Sequence, residues 1–157
     1  MEDRHRIAKI SLDEQSVIRR SPQVEHERKV AIYDLLEDNT FILTDGQEGP
    51  YNLHLGIEDN RLIFDVRDEA EKKIKRIILP GSSFRRVVKD YFLIVESYFN
   101  AIKTKAPSQI EAIDMARRGI HNDGADLLME RMASDVEMDK DTSRRLFTLV
   151  CVLHIRA

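Results

Sequence analysis

Hydrophobic residues change their period at Pro80, and this change divides the chain into a sheet-forming part and a helix-forming part. Before it, Tyr51, Leu53, Leu55 and Ile57 alternate with Asn52, His54, Gly56 and Glu58. After a Glu58-Asp59-Asn60 turn, Leu62, Phe64 and Val66 alternate with Arg61, Ile63, Asp65 and Arg67. Successive strand side chains point to opposite faces, so these segments predict a hairpin with one apolar and one polar face. Arg6 to Leu12, Phe41 to Leu43 and Ile74 to Leu79 predict three more strands, separated by the turn cluster Asp45 to Pro50 and the charged turn Asp68 to Lys73. Short connections of this kind favour antiparallel neighbours. Beyond Pro80 the interval becomes three and four: Phe84, Val88, Tyr91, Val95, Tyr98 and Ile102 form one helical stripe.

The remaining helices are marked by their ends. Ser21 is placed to cap a helix that has Pro22 at its first position, buries Val24, Ala31 and Leu35, and ends at Asn39. Ala106-Pro107 closes the long stripe, and Ser108-x-x-Glu111 reads as a capping box for a helix reaching Arg117-Arg118, with Gly119 as a left-handed C-cap. Asn122 or Asp123 would cap a further helix through about Ala133. Asp139 or Asp141 would cap the last, about Thr142 to Ile155. That segment is apolar almost all round, which places it centrally as a buried helix or a late strand. The expected fold is α+β: an antiparallel sheet of four to five strands packed on one face by four to five helices. It forms a single globular domain over residues 1–157, sheet-rich over 1–80 and helical over 81–157.

Charge and composition narrow the function. With 25 basic and 28 acidic residues the net charge is −3, so no global field draws the chain to nucleic acid or anionic lipid. Any anion site must be local. The N-terminal MEDRHR carries no apolar signal core, and no stretch approaches the ~20 apolar residues of a membrane span, so the expected compartment is the cytoplasm. The lone Cys151 lies in an apolar run and is expected as a buried structural thiol. No phosphate-binding glycine loop, nucleophile elbow, HExxH motif or cysteine pair occurs, and the five histidines have no metal-ligand spacing, so neither metal nor cofactor is expected. His26, between Glu25 and Glu27, reads as solvated helix surface. His54 and Asp65 face the same side of the hairpin and are expected to pair as imidazole and carboxylate.

Arg-Arg occurs at 19–20, 85–86, 117–118 and 144–145. The first pair stands just before a helix, and the second and fourth fall in first turns, where the helix dipole disfavours cations by a few tenths to ~1 kcal/mol. Arginines so placed imply anionic partners, from this chain or from a ligand. Pro80-Gly81-Ser82-Ser83-Phe84-Arg85-Arg86 would form an oxyanion cradle at a helix start, with Ser82 or Ser83 as N-cap. Ala116 to Asp126 would bring Arg117, Arg118, His121 and Asn122 together in a polar turn between two helices. A helix-turn-helix is disfavoured there, since Asp123, Asp126 and Glu130 would repel phosphates.

The strings SPQVEHERKVAIYDLLEDN, YNLHLGIEDNRLIFDVRDE, FRRVVKDYFLIVESYFNAI, PSQIEAIDMARRGIHNDGADLL and RRLFTLVCVLHIRA span nearly the whole chain. They resemble uncharacterised protein family 0262 of the alphaproteobacteria. The resemblance implies a bacterial cytoplasmic protein and carries no activity and no catalytic residues.

The residues themselves favour a binding or regulatory domain for an anionic ligand. Arg85, Arg86, Lys89, Arg117 and Arg118 would clamp oxygens, and His121 and Asn122 would orient them. Candidate partners are a phosphorylated or carboxylated small molecule or an acidic protein surface. Two alternatives stand beside it. One is an interaction protein, such as a homodimer, whose arginines serve surface ion pairs. The other is a phosphoester-type enzyme with His121 as acid–base, Arg118 as stabiliser, and Asp114 or Asp123 orienting the imidazole.

Overall fold

A computed structural model describes residues 4–13 and 22–153. Its elements are β1 (Ile7–Leu12), α1 (Pro22–Glu37), β2 (Phe41–Leu43), β3 (Tyr51–Glu58), β4 (Arg61–Arg67), β5 (Lys73–Pro80), α2 (Arg85–Thr104), α3 (Pro107–Met132), β6 (Val136–Met138) and α4 (Lys140–Val152). The fold is α+β, as expected from the change of period at Pro80. Ser21, the expected cap of α1, and the Arg19–Arg20 pair lie outside the described residues.

The main sheet has the order β1-β3-β4-β5, and β2 and β6 form a second, two-stranded sheet. The β3–β4–β5 meander is antiparallel, with His54 opposite Asp65 and Asp65 opposite Arg76. β1, however, runs parallel to β3, with Ser11 beside His54. The expectation of a wholly antiparallel sheet fails here because β1 and β3 are not consecutive. Residues 13–50 hold a helix and a short strand, ample for the crossover that parallel neighbours need.

Leu53, Leu55, Phe64, Val66 and Ile77 on one side of the sheet join the buried faces of all four helices in one apolar cluster. At its centre is α4, nine of whose 13 residues are buried, including Phe147 and Cys151. Burial raises the Cys151 thiol well above its ordinary pKa, leaving it protonated and inert. Asp139, the first of the two expected caps, accepts from the Thr142 amide at 3.1 Å. The buried hydroxyls on α4 are matched: Thr142 Oγ1 accepts from the Thr40 amide at 3.0 Å, and Ser143 Oγ donates to the Ala125 carbonyl at 2.7 Å.

Three local expectations are corrected. α3 is one helix of 26 residues and runs straight through Gly119. Glycine costs a helix interior about 1 kcal/mol and does not by itself end it; continuing the helix buries Ala125, Leu128 and Met132. The cap of α3 also sits earlier than Ser108: the Ala106 amide donates to Gln109 Oε1 at 3.3 Å, with Pro107 at the first position. Finally, Gly81–Ser83 is a 3-10 turn and the buried Phe84 is the N-cap of α2, so neither serine side chain caps that helix.

Candidate functional site

Continuity of α3 changes what its arginines can reach. Positions 117 and 121 are one turn apart and share a face, as do 144 and 148 on α4 and 27, 31 and 34 on α1. α3 and α1 both pack against α4. The three stripes border an open cavity of about 410 Å³ lined by Arg117, Arg118 and His121 of α3, Arg144, Arg145 and Thr148 of α4, and Glu27, Val30, Ala31 and Asp34 of α1. Two of the four Arg-Arg pairs therefore meet around one space, although the expected turn between helices is absent.

The other expected residues stand elsewhere. Arg117 lies over the Tyr98 ring, its Cζ 4.6 Å from the centroid. Arg85 and Arg86 begin the same helix that carries Tyr98, 13 and 12 positions earlier, about 18–20 Å along the axis. Lys89 is one turn on and exposed. The structure does not bring Arg85, Arg86 or Lys89 to Arg117, and Asn122, half-buried on α3, is not among the residues lining the cavity.

The four guanidinium groups are not equivalent. Arg117 is tied down: Nε and Nη2 donate to Asp114 Oδ1 at 3.2 and 2.9 Å, and Nη1 donates to Glu27 Oε1 at 3.3 Å. Burial opposes its charge, but Asp114 and Glu27 outweigh burial and hold its pKa above the usual value. In return the Arg117 hydrogen bond holds Asp114 below the carboxylate range. Glu27 goes the other way, since its burial outweighs the attraction of Arg117. Arg118, by contrast, is 74% exposed and pairs with Asp114 Oδ2 at 2.9 Å, across one helical turn. Arg144 pairs with Asp141 on its own helix, and Arg145 Nη1 donates to the Asp38 carbonyl at 2.7 Å, at the end of α1.

His121 Nδ1 lies 3.0 Å from the Arg117 carbonyl. A carbonyl only accepts, so Nδ1 carries the hydrogen and Nε2 keeps its lone pair. Edge contacts with Tyr91 and Phe147, at centroid distances of 5.3 and 6.3 Å, fix the ring. Its orienting partner is thus a backbone carbonyl rather than the carboxylate of Asp114 or Asp123 that an acid–base role called for. Burial, reinforced by the charges of Arg117 and Arg144, lowers its pKa against the opposing pull of the carbonyl. A folded pKa below the unfolded value of about 6.5 gives stability that is complete above pH 6.5 and declines as pH falls beneath it. His121→Asn removes this contribution. Urea unfolding between pH 7.5 and 5 should show a smaller loss in the variant than in the parent, and equal losses would contradict the assignment.

Sequence reasoning missed a second polar cluster, on the face of the sheet away from the helices. His54 does not bond Asp65: its Nδ1 is 2.6 Å from Ser11 Oγ and its Nε2 is 2.9 Å from Glu71 Oε2, while Asp65 takes Arg67 at 2.8 Å. The parallel pairing of β1 and the loop carrying Glu71 are both non-local, and neither leaves a local signal in the alternation around His54. Among the described residues no group of three or more His, Cys, Asp or Glu side chains is arranged to hold a metal, and no helix is long and apolar enough to cross a membrane.

Comparison with known proteins agrees with the resemblance carried by the quoted strings. A model of the Uncharacterised protein family (UPF0262) matches residues 4–156. A UPF0262 protein of Paramagnetospirillum magneticum is 56% identical over 156 residues, covering 99% of both chains. One of Rhodospirillum rubrum is 54% identical over 156 residues, covering 99% of this chain and 96% of the other. One of Ruegeria pomeroyi is 56% identical over 154 residues, covering 95% and 96%. No solved structure matches the chain. The chain belongs to UPF0262, a family with members in alphaproteobacteria and no activity in its description.

Proposed function

We propose that this UPF0262 member binds a small anionic ligand, of the phosphorylated or carboxylated class, in the cavity between α1, α3 and α4. The observation that carries this is the meeting of Arg118, Arg144 and Arg145 with His121 around one space of about 410 Å³. The lining sets four guanidinium groups against the two carboxylates of Glu27 and Asp34. Asp114 and Asp141 also pair with these arginines, so a ligand must compete with them. That competition is inexpensive for Arg118 and Arg144, because exposed pairs one turn apart on a helix are worth about 0–1 kcal/mol. Arg117, held by two carboxylates, would stay in place and orient the others. An anion against Nε2 of His121 would also draw a proton onto the ring, coupling binding to proton uptake.

Inorganic phosphate is the simplest probe. Titrated at low ionic strength, it should raise the unfolding midpoint, by an amount equivalent to about 2.7 kcal/mol at a hundredfold excess over Kd. The double variant Arg118→Gln/Arg145→Gln should weaken binding by roughly tenfold or more, whereas Arg86→Gln, on the far end of α2, should change it less than about twofold. Equal loss in both variants would show general charge screening in place of a site, and no shift in the parent would remove the proposal. A protein partner is the second reading. It is favoured by Val30, Tyr33 and Leu36 on α1, which are 42%, 66% and 38% exposed, Val30 itself lining the cavity.

A further inference from the structure

The outer face of the main sheet carries a row that crosses all four strands: Ser11, His54, Asp65 and Arg76 are successive register partners. Over this row folds the loop between β4 and β5, which delivers Glu71 from a backbone at φ 66°. The Glu71 amide donates to the Asp68 carbonyl at 3.0 Å. The carboxylate is held from three sides: His54 on Oε2 at 2.9 Å, Asn52 Nδ2 on Oε1 at 2.9 Å, and Arg67 Nη1 on Oε2 at 3.4 Å. Asn52 is only 2% exposed, so its amide is a fixed support for Glu71.

This arrangement determines the imidazole tautomer. An ionised carboxylate only accepts, so Nε2 of His54 carries the hydrogen toward Glu71. The hydrogen bond from His54, with help from Asn52 and Arg67, keeps Glu71 ionised by lowering its pKa. In the neutral ring Nδ1 is then the acceptor, and the Ser11 hydroxyl 2.6 Å away donates to it. A serine hydroxyl donating to an imidazole that is oriented by a carboxylate is the relation of nucleophile, base and orienter, here with the two ring nitrogens in exchanged roles. Two of the three side chains sit on adjacent strands, which fixes their separation more firmly than loops would.

Ser11 is exposed on an edge strand and borders two hollows. One, of about 470 Å³, is lined by Leu55, Ile57 and Ile63 with Asp13, Glu58 and Asp65 at its polar positions. The other, of about 280 Å³, lies toward Lys9, Ile10 and Leu36. The nucleophile therefore has space on both sides, for an acyl group and a leaving group. Carboxylates around the larger hollow disfavour anionic substrates.

We propose that Ser11, His54 and Glu71 form an acyl-transfer site for neutral or cationic esters, separate from the anion cavity between the helices. Ser11 Oγ bonds to the ester carbonyl carbon as its proton passes to His54 Nδ1, and Glu71 stabilises the imidazolium through Nε2–H. The bond from carbon to the alcohol oxygen then breaks, and that oxygen takes the proton from Nδ1. Water next adds to the acyl-Ser11 carbon, giving a proton to Nδ1. Ser11 Oγ leaves with that proton. Ester and water become acid and alcohol, with no other reactant.

A small alkyl fluorophosphonate tests the site on the full chain. Ser11 Oγ should displace fluoride, giving one phosphonyl adduct per chain that peptide mapping places on Ser11. His54→Gln should slow the adduct by roughly 100-fold or more and Glu71→Gln by roughly tenfold, both with circular dichroism of the parent. Ser82→Ala, an exposed serine away from the row, should leave the rate unchanged. A burst of p-nitrophenol from p-nitrophenyl acetate, equal to the protein concentration and absent in Ser11→Ala, is the second readout. The proposal is overturned if the folded parent gives no Ser11 adduct, or if His54→Gln is labelled as fast as the parent.

Discussion

Gly124→Ala is expected to destabilise the fold by about 1–3 kcal/mol, whereas Gly119→Ala, the same change five positions earlier on α3, is expected to stabilise it by about 0.5–1 kcal/mol. Both glycines sit inside one helix, so the alanine gains the same helix propensity at each position. What differs is the neighbour. A Cβ on Gly119 meets nothing within 4 Å, so the gain in propensity is undiminished. A Cβ on Gly124 would overlap the ring of Phe147, which is fully buried on α4. That ring cannot swing aside cheaply, since it is in edge contact with Tyr91 and His121 at centroid distances of 6.2 and 6.3 Å. Overpacking then outweighs propensity, and the helices must part. Urea unfolding of the two variants should move the midpoints in opposite directions with unchanged slopes. Destabilisation by Gly119→Ala would mean that the position needs a backbone alanine resists, as in the left-handed C-cap that the sequence suggests. Because Phe147 also borders His121, Gly124→Ala should weaken phosphate binding as well as stability.

The same two glycines show where local signals stop. Alternation over Tyr51–Arg67 and the three-four stripe of α2 survive into the structure because each is a long run whose burial outweighs any single residue. Gly119 is a permissive residue, and whether a helix stops there depends on what lies beyond. Ala125, Leu128 and Met132 are buried against other elements, which the local pattern does not reveal. β6 is three residues long, and its Val136 and Met138 are strand residues only because Phe41–Leu43 lies beside them. The candidate sites follow the same rule. Arg117, Arg118 and His121 are neighbours in the chain and were visible as a group. Arg144 and Arg145 join them only because α3 and α4 pack together. Ser11 and Glu71 are 60 positions apart, joined through His54 by a parallel pairing and a folded-back loop.

Asn39→Ala should cost about 3 kcal/mol or more, above what an exposed ion pair contributes. β1 is an edge strand, paired with β3 on one side only. On its other side the Asn39 side chain takes the place of a strand. Its Oδ1 accepts from the Ile7 amide at 2.7 Å, and its Nδ2 donates to the Ile7 carbonyl at 3.0 Å and to the Leu35 carbonyl at 2.7 Å. Asn39 is 8% exposed and Ile7 fully buried, so water cannot replace these bonds without opening the structure. Alanine would leave one amide and two carbonyls buried without partners, at about 1–3 kcal/mol for each group that stays dry. Asn39→Asp separates geometry from volume. A carboxylate can still accept from the Ile7 amide, but it faces two carbonyl oxygens with no hydrogen to offer. Its folded pKa must therefore rise above the unfolded value, so the variant loses stability as pH rises and recovers it in acid, while the alanine variant should show no such recovery. β1 also carries Ser11, four positions beyond Ile7. Loosening its outer edge should reduce the rate at which a fluorophosphonate reaches Ser11 even where the rest of the chain remains folded. A large loss of stability with an unchanged Ser11 labelling rate would show that Asn39 anchors α1 alone and that β1 is held by β3.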